Sequence, residues 1–131
     1  MTMETQLRAA LIAWLADDPI LSAALNDVTE EAPSRAQPPW LGIAASASTD
    51  WSTKQRAGRE VRIALELHNR GEEAAETAAL IALVEERIET LPRQQPDFHI
   101  VATQFLRARS EQRPPYQRAT LLEYRFRLLE S

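Results

Sequence analysis

The segment Glu60–His68, "EVRIALELH", carries the clearest structural pattern in the chain. Its apolar residues are Val61, Ile63, Leu65 and Leu67, and they alternate with Arg62, Ala64, Glu66 and His68. Because successive side chains of a strand point to opposite faces, this period of two predicts a strand with one buried face and one wet face. We therefore expect this strand to lie in a sheet whose apolar face is covered by the neighbouring elements.

The elements before this strand begin with an amphipathic helix, Met3–Ala16. Its apolar residues recur at helical spacing and are Leu7, Leu11, Trp14 and Leu15. Residues 20–25 can add one or two further turns. The turn-forming residues 26–37 predict a loop, with room for a short edge strand at Val28. The small residues of "WLGIAASAS", 40–48, predict a weak strand.

A long helix, 72–91, follows the central strand. The apolar residues that share one of its faces are Leu80, Ile81, Val84, Ile88 and Leu91. The acids Glu72, Glu73 and Glu76 suit the positive end of the helix dipole. Pro92 ends the helix because it cannot continue the hydrogen-bond ladder.

Two strands, 98–109 and 117–129, follow this helix. In the last strand the apolar residues are Leu122, Tyr124, Phe126 and Leu128. For the first of the two strands, the sequence allows either of two faces to be the buried one: Phe98, Ile100, Ala102 and Leu106, or Val101, Thr103 and Phe105. A slip of one residue exchanges these faces, so the sequence does not choose between them.

These elements predict the fold class α+β, in the order α-β-β-α-β-β. Pairs of strands on either side of a helix favour a mainly antiparallel four-stranded sheet with helices packed on one face. The chain of 131 residues has the size of a single domain, 1–131.

Composition narrows the function classes. Nineteen acidic residues against 15 basic ones give a net charge of −4, which argues against a dedicated DNA-binding or membrane-binding module. Without cysteine, thiolate metal sites are excluded and an intracellular origin fits. The N-terminal segment has no basic region ahead of its apolar residues, so we expect an ordinary helix and no membrane association.

Enzyme motifs are mostly missing from the sequence. Three separated glycines cannot form a phosphate-binding loop. His68 falls on the wet face of its strand, and a metal pair with His99 lacks further ligands at suitable spacing. The glutamates of the long helix are typical of a solvated face. We therefore expect no enzyme activity, no catalytic residues, no metal and no cofactor.

The polar segment "STDWSTKQRAGRE", 48–60, precedes the central strand. Ser, Thr and Asp stabilise turns by bonding to nearby backbone, and Gly58 permits a positive φ or a bulge at the strand entry. Trp51 has two interpretations. It either folds back to cover one end of the core, or it anchors a protein–protein interface together with Lys54, Arg56 and Arg59.

A second charged group surrounds the last hairpin and consists of Arg107, Arg109, Arg113 and Arg118. These arginines can form an electropositive edge that pairs with acids of another subunit. They can equally protect the edge of a sheet against aggregation, as charged edge residues commonly do. Direct nucleic-acid readout is a third alternative, without an aromatic-interleaved basic motif to support it.

The segment "STDWSTKQRAGREVRIALELHNR" resembles the tail-completion (head–tail joining, tail-terminator-like) protein family of tailed phages, prophages and gene transfer agents. The resemblance lies in "DWSTK", Asp50–Lys54, followed by Gly58 and Glu60 before the alternating strand. The helix with "ADDPILSAAL", the approach "PPWLGIA", the alanine-rich helix and the ending "EYRFRLLE" are similar as well.

The resemblance implies a structural protein without catalytic residues. Members are typically hexameric rings between the tail tube and the head connector, with DNA passing through the lumen. It therefore implies as partners copies of the chain itself, a tail tube protein and a head connector protein. It also implies assembly in the bacterial cytoplasm and a final place at the head–tail junction of the virion.

From the residues themselves we infer interface positions in two groups. They are Asp50, Trp51, Lys54, Arg56 and Arg59, and Arg107, Arg109, Arg113 and Arg118. Two other functions remain as alternatives to the structural role. One is a small ligand-binding or enzymatic α+β domain with a pocket between sheet and helices, and the other is a plain DNA-binding module.

Overall fold

The central strand of the sheet is the one that its alternation predicts. In the computed structural model, which describes residues 1–31, 37–71 and 73–131, β3 pairs antiparallel with β2 on one side and β5 on the other. The elements are α1 Met3–Ala16, α2 Pro19–Ala24, β1 Asp27–Thr29, β2 Trp40–Asp50, β3 Gly58–Arg70, α3 Ala74–Glu89, β4 Phe98–Arg113 and β5 Gln117–Glu130. Residues 32–36 of the predicted loop and Glu72 of the predicted helix start lie outside the described residues.

The fold is a single α+β domain, as predicted, but two details of the prediction are wrong. The sheet has five strands in the order β1-β2-β3-β5-β4 rather than four. The additional strand, β1, lies where room for a short edge strand at Val28 was predicted, and it changes the predicted element order. It runs parallel to the start of β2, so the sheet is mixed, but the other three pairings of the sheet are antiparallel, as predicted for a mainly antiparallel sheet. A second short helix, α2, also follows α1. Its Asp18 side chain accepts a hydrogen bond from the Leu21 amide and so caps it.

The helices lie on the apolar face of β3. In α1 the buried residues are Leu7, Leu11 and Leu15, and Val84 and Ile88 of α3 are buried as well. They join one core cluster with the inward residues of the sheet, including Val61, Ile63, Leu65, Tyr124 and Phe126. This packing is the main stabilising contribution to the fold, because burying each large apolar side chain contributes about 2 kcal/mol.

Trp14 and Arg87 hold the two long helices together. The Trp14 indole N–H donates to the Arg87 carbonyl oxygen at 2.9 Å, and the Arg87 Nε donates to the Trp14 carbonyl oxygen at the same distance. The guanidinium carbon also lies 3.4 Å from the centroid of the indole ring, a cation–π contact. The prediction that Trp14 lies on the core side is confirmed, since it packs against the core cluster while half-buried.

Both predicted faces of β4 are partly right, because the strand changes register twice. One irregularity falls between Ile100 and Ala102, and a second falls between Phe105 and Arg107. Each inserts one residue and so exchanges the two faces. Phe98 and Ile100 are buried below the first bulge. Above it Phe105 takes the inward position opposite Tyr124, although it remains 43% exposed because the helices do not cover it.

The segment expected to be an open loop is shorter than predicted. Strand β2 continues to Asp50 and β3 already begins at Gly58, so only residues 51–57 form the connection. We call this the loop end of the sheet. The opposite end, at residues 114–116 between β4 and β5, we call the hairpin end. Since β3 has 13 residues, the two ends are separated by about 40 Å at about 3.3 Å per residue.

Candidate assembly surfaces

The loop end is shaped by a chain of hydrogen bonds among Asp50, Ser52 and Gly58. The Ser52 hydroxyl donates to the Asp50 carboxylate at 2.6 Å and accepts from the Gly58 amide at 2.9 Å. The Trp51 amide donates to the Gly58 carbonyl oxygen at 3.0 Å. Asp50 therefore organises the loop from within, although its side chain is exposed.

Gly58 is required here by a close approach of two backbones. A Cβ at this position would lie 2.3 Å from the Trp51 carbonyl oxygen and 2.8 Å from that of Leu128. The predicted positive φ is wrong, because no glycine of the described residues adopts one. No strand register shift occurs at Gly58 either.

The tip of the loop presents its cations to solvent. The Thr53 amide donates to the Arg56 carbonyl oxygen at 2.9 Å, and the Arg56 amide donates to the Thr53 hydroxyl at 3.0 Å. This compact turn leaves Lys54 and Arg56 exposed, and neither forms a salt bridge within the described residues. Arg59 lies at the base instead, where it donates to the Ser48 hydroxyl at 2.7 Å.

Trp51 does not cover the end of the core. It is half-buried and is absent from both the core cluster and the residues packed against it. Its ring lies beneath the Arg127 guanidinium, 5.5 Å from the carbon. Arg127 in turn donates to the Glu60 carboxylate at 3.0 Å. Trp51 thus belongs to the helix-free face of the sheet, which we call the outer face.

The hairpin end and the adjoining part of β4 carry three of the four predicted arginines on the outer face. Their register opposite β5 places Arg107, Arg109 and Arg113 on this face. Each side chain remains more than half exposed while it forms a surface ion pair, Arg107 with Glu123 at 2.9 Å, and the other two with Glu111 at 3.1 and 3.5 Å. Exposed pairs of this kind add little stability, so the arginines remain available to a partner.

The fourth arginine, Arg118, is turned away from the other three. Its register position opposite Asn69 places it on the helix side of the sheet. There its Nε donates to the Gly71 carbonyl oxygen at 3.3 Å, and the Gly71 amide donates to the Tyr116 carbonyl oxygen at 3.1 Å. Arg118 therefore attaches the hairpin end to the chain that leads into α3.

The structure thus places the first group of predicted interface residues at the loop end. Of the second group, Arg109, Arg113 and Arg118 lie toward the hairpin end, and Arg107 lies level with the middle of β3.

The sequence indicates that Arg125 and Arg127 share one face of the last strand, but it does not predict that they cluster with Glu60 beside Trp51. Both arginines approach Glu60, at 3.8 and 3.0 Å, and Arg125 also donates to the Gln104 side chain. The alternating charges of β3 and β5 were the available signal. The sequence does not show that these two strands are neighbours, and this adjacency decides which charged side chains pair.

The two histidines lie at opposite ends of the sheet and do not form a pair. His68 stacks on Trp40, with ring centroids 4.1 Å apart, near the hairpin end. His99 lies near the loop end, opposite Leu129. Within the described ranges, no cluster of three or more His, Cys, Asp or Glu is arranged to hold a metal.

A cavity of about 690 Å³ opens at the loop end, next to the start of α1. Its lining includes Asp50, Asp97, Glu130 and Arg59. Asp97 is already engaged, since it accepts from the Gln6 amide at 2.9 Å. The space between sheet and helices, where a ligand pocket was the alternative, is filled by the buried core cluster. None of the helices in the described part is long and apolar enough to cross a membrane.

The comparison with protein families decides which family shares this arrangement. A family model described as tail completion protein gp17 matches residues 9–129, which include both ends of the sheet. The chain belongs to this tail completion family. No curated protein matches the chain significantly.

A solved structure shares the fold of this family member over its full length. The matching chain comes from "Virion of native gene transfer agent (GTA) particle". The two chains superpose with a TM-score of 0.75, at 20% sequence identity and with 100% of each chain covered. At this identity the likeness establishes a common fold.

Proposed function

We propose that this chain is a non-enzymatic virion component that caps the tail tube and joins it to the head connector. The observation that carries the proposal is the tail completion match over residues 9–129. The likeness in fold to a chain of a gene transfer agent virion supports it.

The separation of the two assembly surfaces suits a joining role. The loop end offers Lys54 and Arg56, and the hairpin end offers Arg109 and Arg113, about 40 Å away along the strands. A subunit with exposed cations at both ends can contact one partner on each side. We propose that these partners are the tail tube protein and the head connector protein.

We further propose that copies of the chain form a ring, a hexamer, around the path of the DNA. A closed ring forms when one surface of each subunit binds a different surface of the next subunit and the repeated rotation returns to the first subunit. The net charge of −4 suits a lumen through which DNA passes. Each phosphate that a protein cation neutralises strengthens DNA binding, and tight binding would hinder passage. After assembly in the bacterial cytoplasm, the ring lies at the head–tail junction.

The location of the protein in the particle tests this proposal. A short epitope tag inserted at Asp17, in the exposed turn between α1 and α2 and outside the proposed contact residues, and detected with gold-labelled antibody should mark the head–tail junction in electron micrographs. Gold along the tail, on the capsid or absent from purified particles would contradict the proposal.

Charge reversal at the loop tip tests which surface makes the contact. We expect the double variant Lys54→Glu, Arg56→Glu to fold normally and to give unjoined heads and tails. Arg62→Glu is the matched control, since Arg62 is also exposed but lies on the outer face at mid-strand. Normal joining by the double variant would remove the loop tip from the interface.

A further inference from the structure

Strand β2 has a free edge over most of its length. Strand β1 pairs only with residues Trp40–Gly42, and no other strand among residues 1–31, 37–71 and 73–131 pairs with this side of β2. Residues Ala44–Asp50 are therefore bordered by β3 on one side only. An edge of this kind presents unpaired amide and carbonyl groups to any strand that approaches.

The backbone groups that face this free edge are those of Ser46, Ser48 and Asp50. The Trp51 amide bonds to the Gly58 carbonyl, so Trp51 belongs to the residues that bond toward β3. In an antiparallel pair these residues alternate with residues whose amide and carbonyl point the other way. Counting back along the register from Trp51 gives the three edge-facing residues.

The free edge of β2 lacks most of the features that normally protect an edge strand. Between the irregularity at Ala44 and Asp50 it contains only Ala, Ser and Thr, without charge or proline. The opposite edge of the sheet, β4, carries two bulges and three exposed arginines. Since natural sheets commonly guard exposed edges, the unguarded edge indicates a surface that is covered in the assembly.

We propose that the free edge of β2 pairs with the β4 edge of a second copy by antiparallel strand addition, which makes the sheet continuous around the ring. This contact rests on the proposed ring. The pairings β2–β3, β3–β5 and β5–β4 are all antiparallel, so strands β2 and β4 run in opposite directions within the sheet. Rotation of one subunit into the place of the next therefore brings β4 antiparallel to β2.

The part of β4 whose outer edge is uncovered lies level with the free edge of β2. Its beginning is covered, because the Ile100 amide bonds to the Arg93 carbonyl and Arg93 donates to the Val101 carbonyl. Thr103 and Phe105 lie at the level of Ser48 and Ser46 across the sheet. Pairing there would also cover Phe105, which is 43% exposed; aromatic residues are enriched at protein interfaces.

Charge supports the same pairing nearer the hairpin end. The β1 side of the molecule carries Asp27, Glu30 and Glu31, and within the described residues none of them forms a salt bridge. The register across the sheet places Asp27 level with Glu111 and Thr29 level with Arg109. The β4 edge carries Arg107, Arg109 and Arg113 against the single acid Glu111. The net charges of the two edges are therefore opposite, which favours the heterologous contact over two like edges.

A pair of engineered cysteines tests this contact, because the chain contains no cysteine of its own. Ala47 and Gln104 are exposed outer-face residues at the same level on the two edges. Across the proposed interface they form a pair without mutual hydrogen bonds, whose short Cα separation suits a disulfide. Particles assembled with the double variant Ala47→Cys, Gln104→Cys are oxidised with diamide and analysed on denaturing gels.

The proposal predicts a ladder of linked multimers that ends at the ring size. The control variant Arg62→Cys, Gln104→Cys places the first cysteine on β3, opposite Ala47, and should remain monomeric. Gln104→Cys is also combined with cysteine at 45 or at 49. If the particles contain a ring and none of the three combinations gives a ladder, the strand contact is overturned and the proposed ring is retained. Particles without a ring and without a ladder would overturn both.

Discussion

Gly58 lies against Trp51 so closely that a Cβ at position 58 would come within 2.3 Å of the Trp51 carbonyl oxygen. This contact closes the β2–β3 connection and fixes how Lys54 and Arg56 are presented. The glycine of the family-like segment is thus explained by space rather than by an unusual φ.

The variant Gly58→Ala should therefore be strongly destabilised. The methyl group meets two backbone oxygens that cannot move independently, so we expect a loss of about 3 kcal/mol in the free energy of unfolding. Gly71→Ala is the control, because its nearest neighbour is the end of the flexible Glu76 side chain at 3.2 Å, and a change within about 1 kcal/mol is expected. Denaturant unfolding of both variants measures the difference, and equal stabilities would contradict the close-approach explanation.

Trp51 should matter for assembly more than for folding. Because it lies outside the core, Trp51→Ala is expected to change the free energy of unfolding by less than about 1 kcal/mol. Trp14→Ala, which loses its core packing and its contacts to Arg87, should cost about 3 kcal/mol. Thermal unfolding compares the two variants, and joined particles are counted for Trp51→Ala. A Trp51→Ala loss as large as that of Trp14→Ala would make Trp51 a structural residue.

Glu4 should make stability depend on pH in the acidic range. Hydrogen bonds from Ser48 and Ser46, with the charges of Arg8 and Arg59, hold the pKa of the Glu4 carboxyl below its ordinary value of 4.5 despite partial desolvation. A lowered folded-state pKa contributes stability above the unfolded value, and this contribution is lost as pH falls through the folded pKa. Unfolding of wild type and Glu4→Gln should therefore differ at neutral pH and converge below pH 4.5. A difference that stays constant with pH would refute the assignment.

Tyr124 contains a buried hydroxyl without a hydrogen-bond partner in the described residues. Burial, and then the nearby Glu85 and Glu89, raise the pKa of this hydroxyl well above its ordinary range. Removing an unsatisfied buried group relieves its desolvation cost, so Tyr124→Phe should leave stability unchanged or raise it by about 1 kcal/mol. Thermal unfolding checks this, with Tyr116→Phe as the exposed control. A marked loss of stability in Tyr124→Phe would reveal a partner for the hydroxyl.

Long, strongly periodic elements could be predicted from sequence. The bounds of α1 are those predicted, and the apolar alternation of β3 and β5 appears in the structure as the buried face of the sheet. These patterns survive because one face of each element packs on a single core. The weak signal of β1 could not settle its pairing, since three residues joined in parallel to β2 carry no period.

Two other differences have physical causes at sheet edges. The polar residues at the end of β2 resemble a loop because α1 meets this part of the strand with Glu4 and Arg8. The Ser46 hydroxyl hydrogen-bonds to both of them instead of packing in the core. The two bulges of β4 exchange its faces, so neither predicted register holds throughout. Most of the candidate interface residues could be recognised in the sequence as charged residues. Their positions in the sheet depend on the strand order, which was not predicted from the sequence.

The most direct test of the joining role is electron microscopy of particles assembled without this protein. If the protein joins tails to heads, these preparations contain filled or empty capsids separate from tails, or tails of uncontrolled length, and the wild-type chain supplied in trans restores normal particles. Normally joined particles of uniform tail length in its absence would contradict a joining role for this protein.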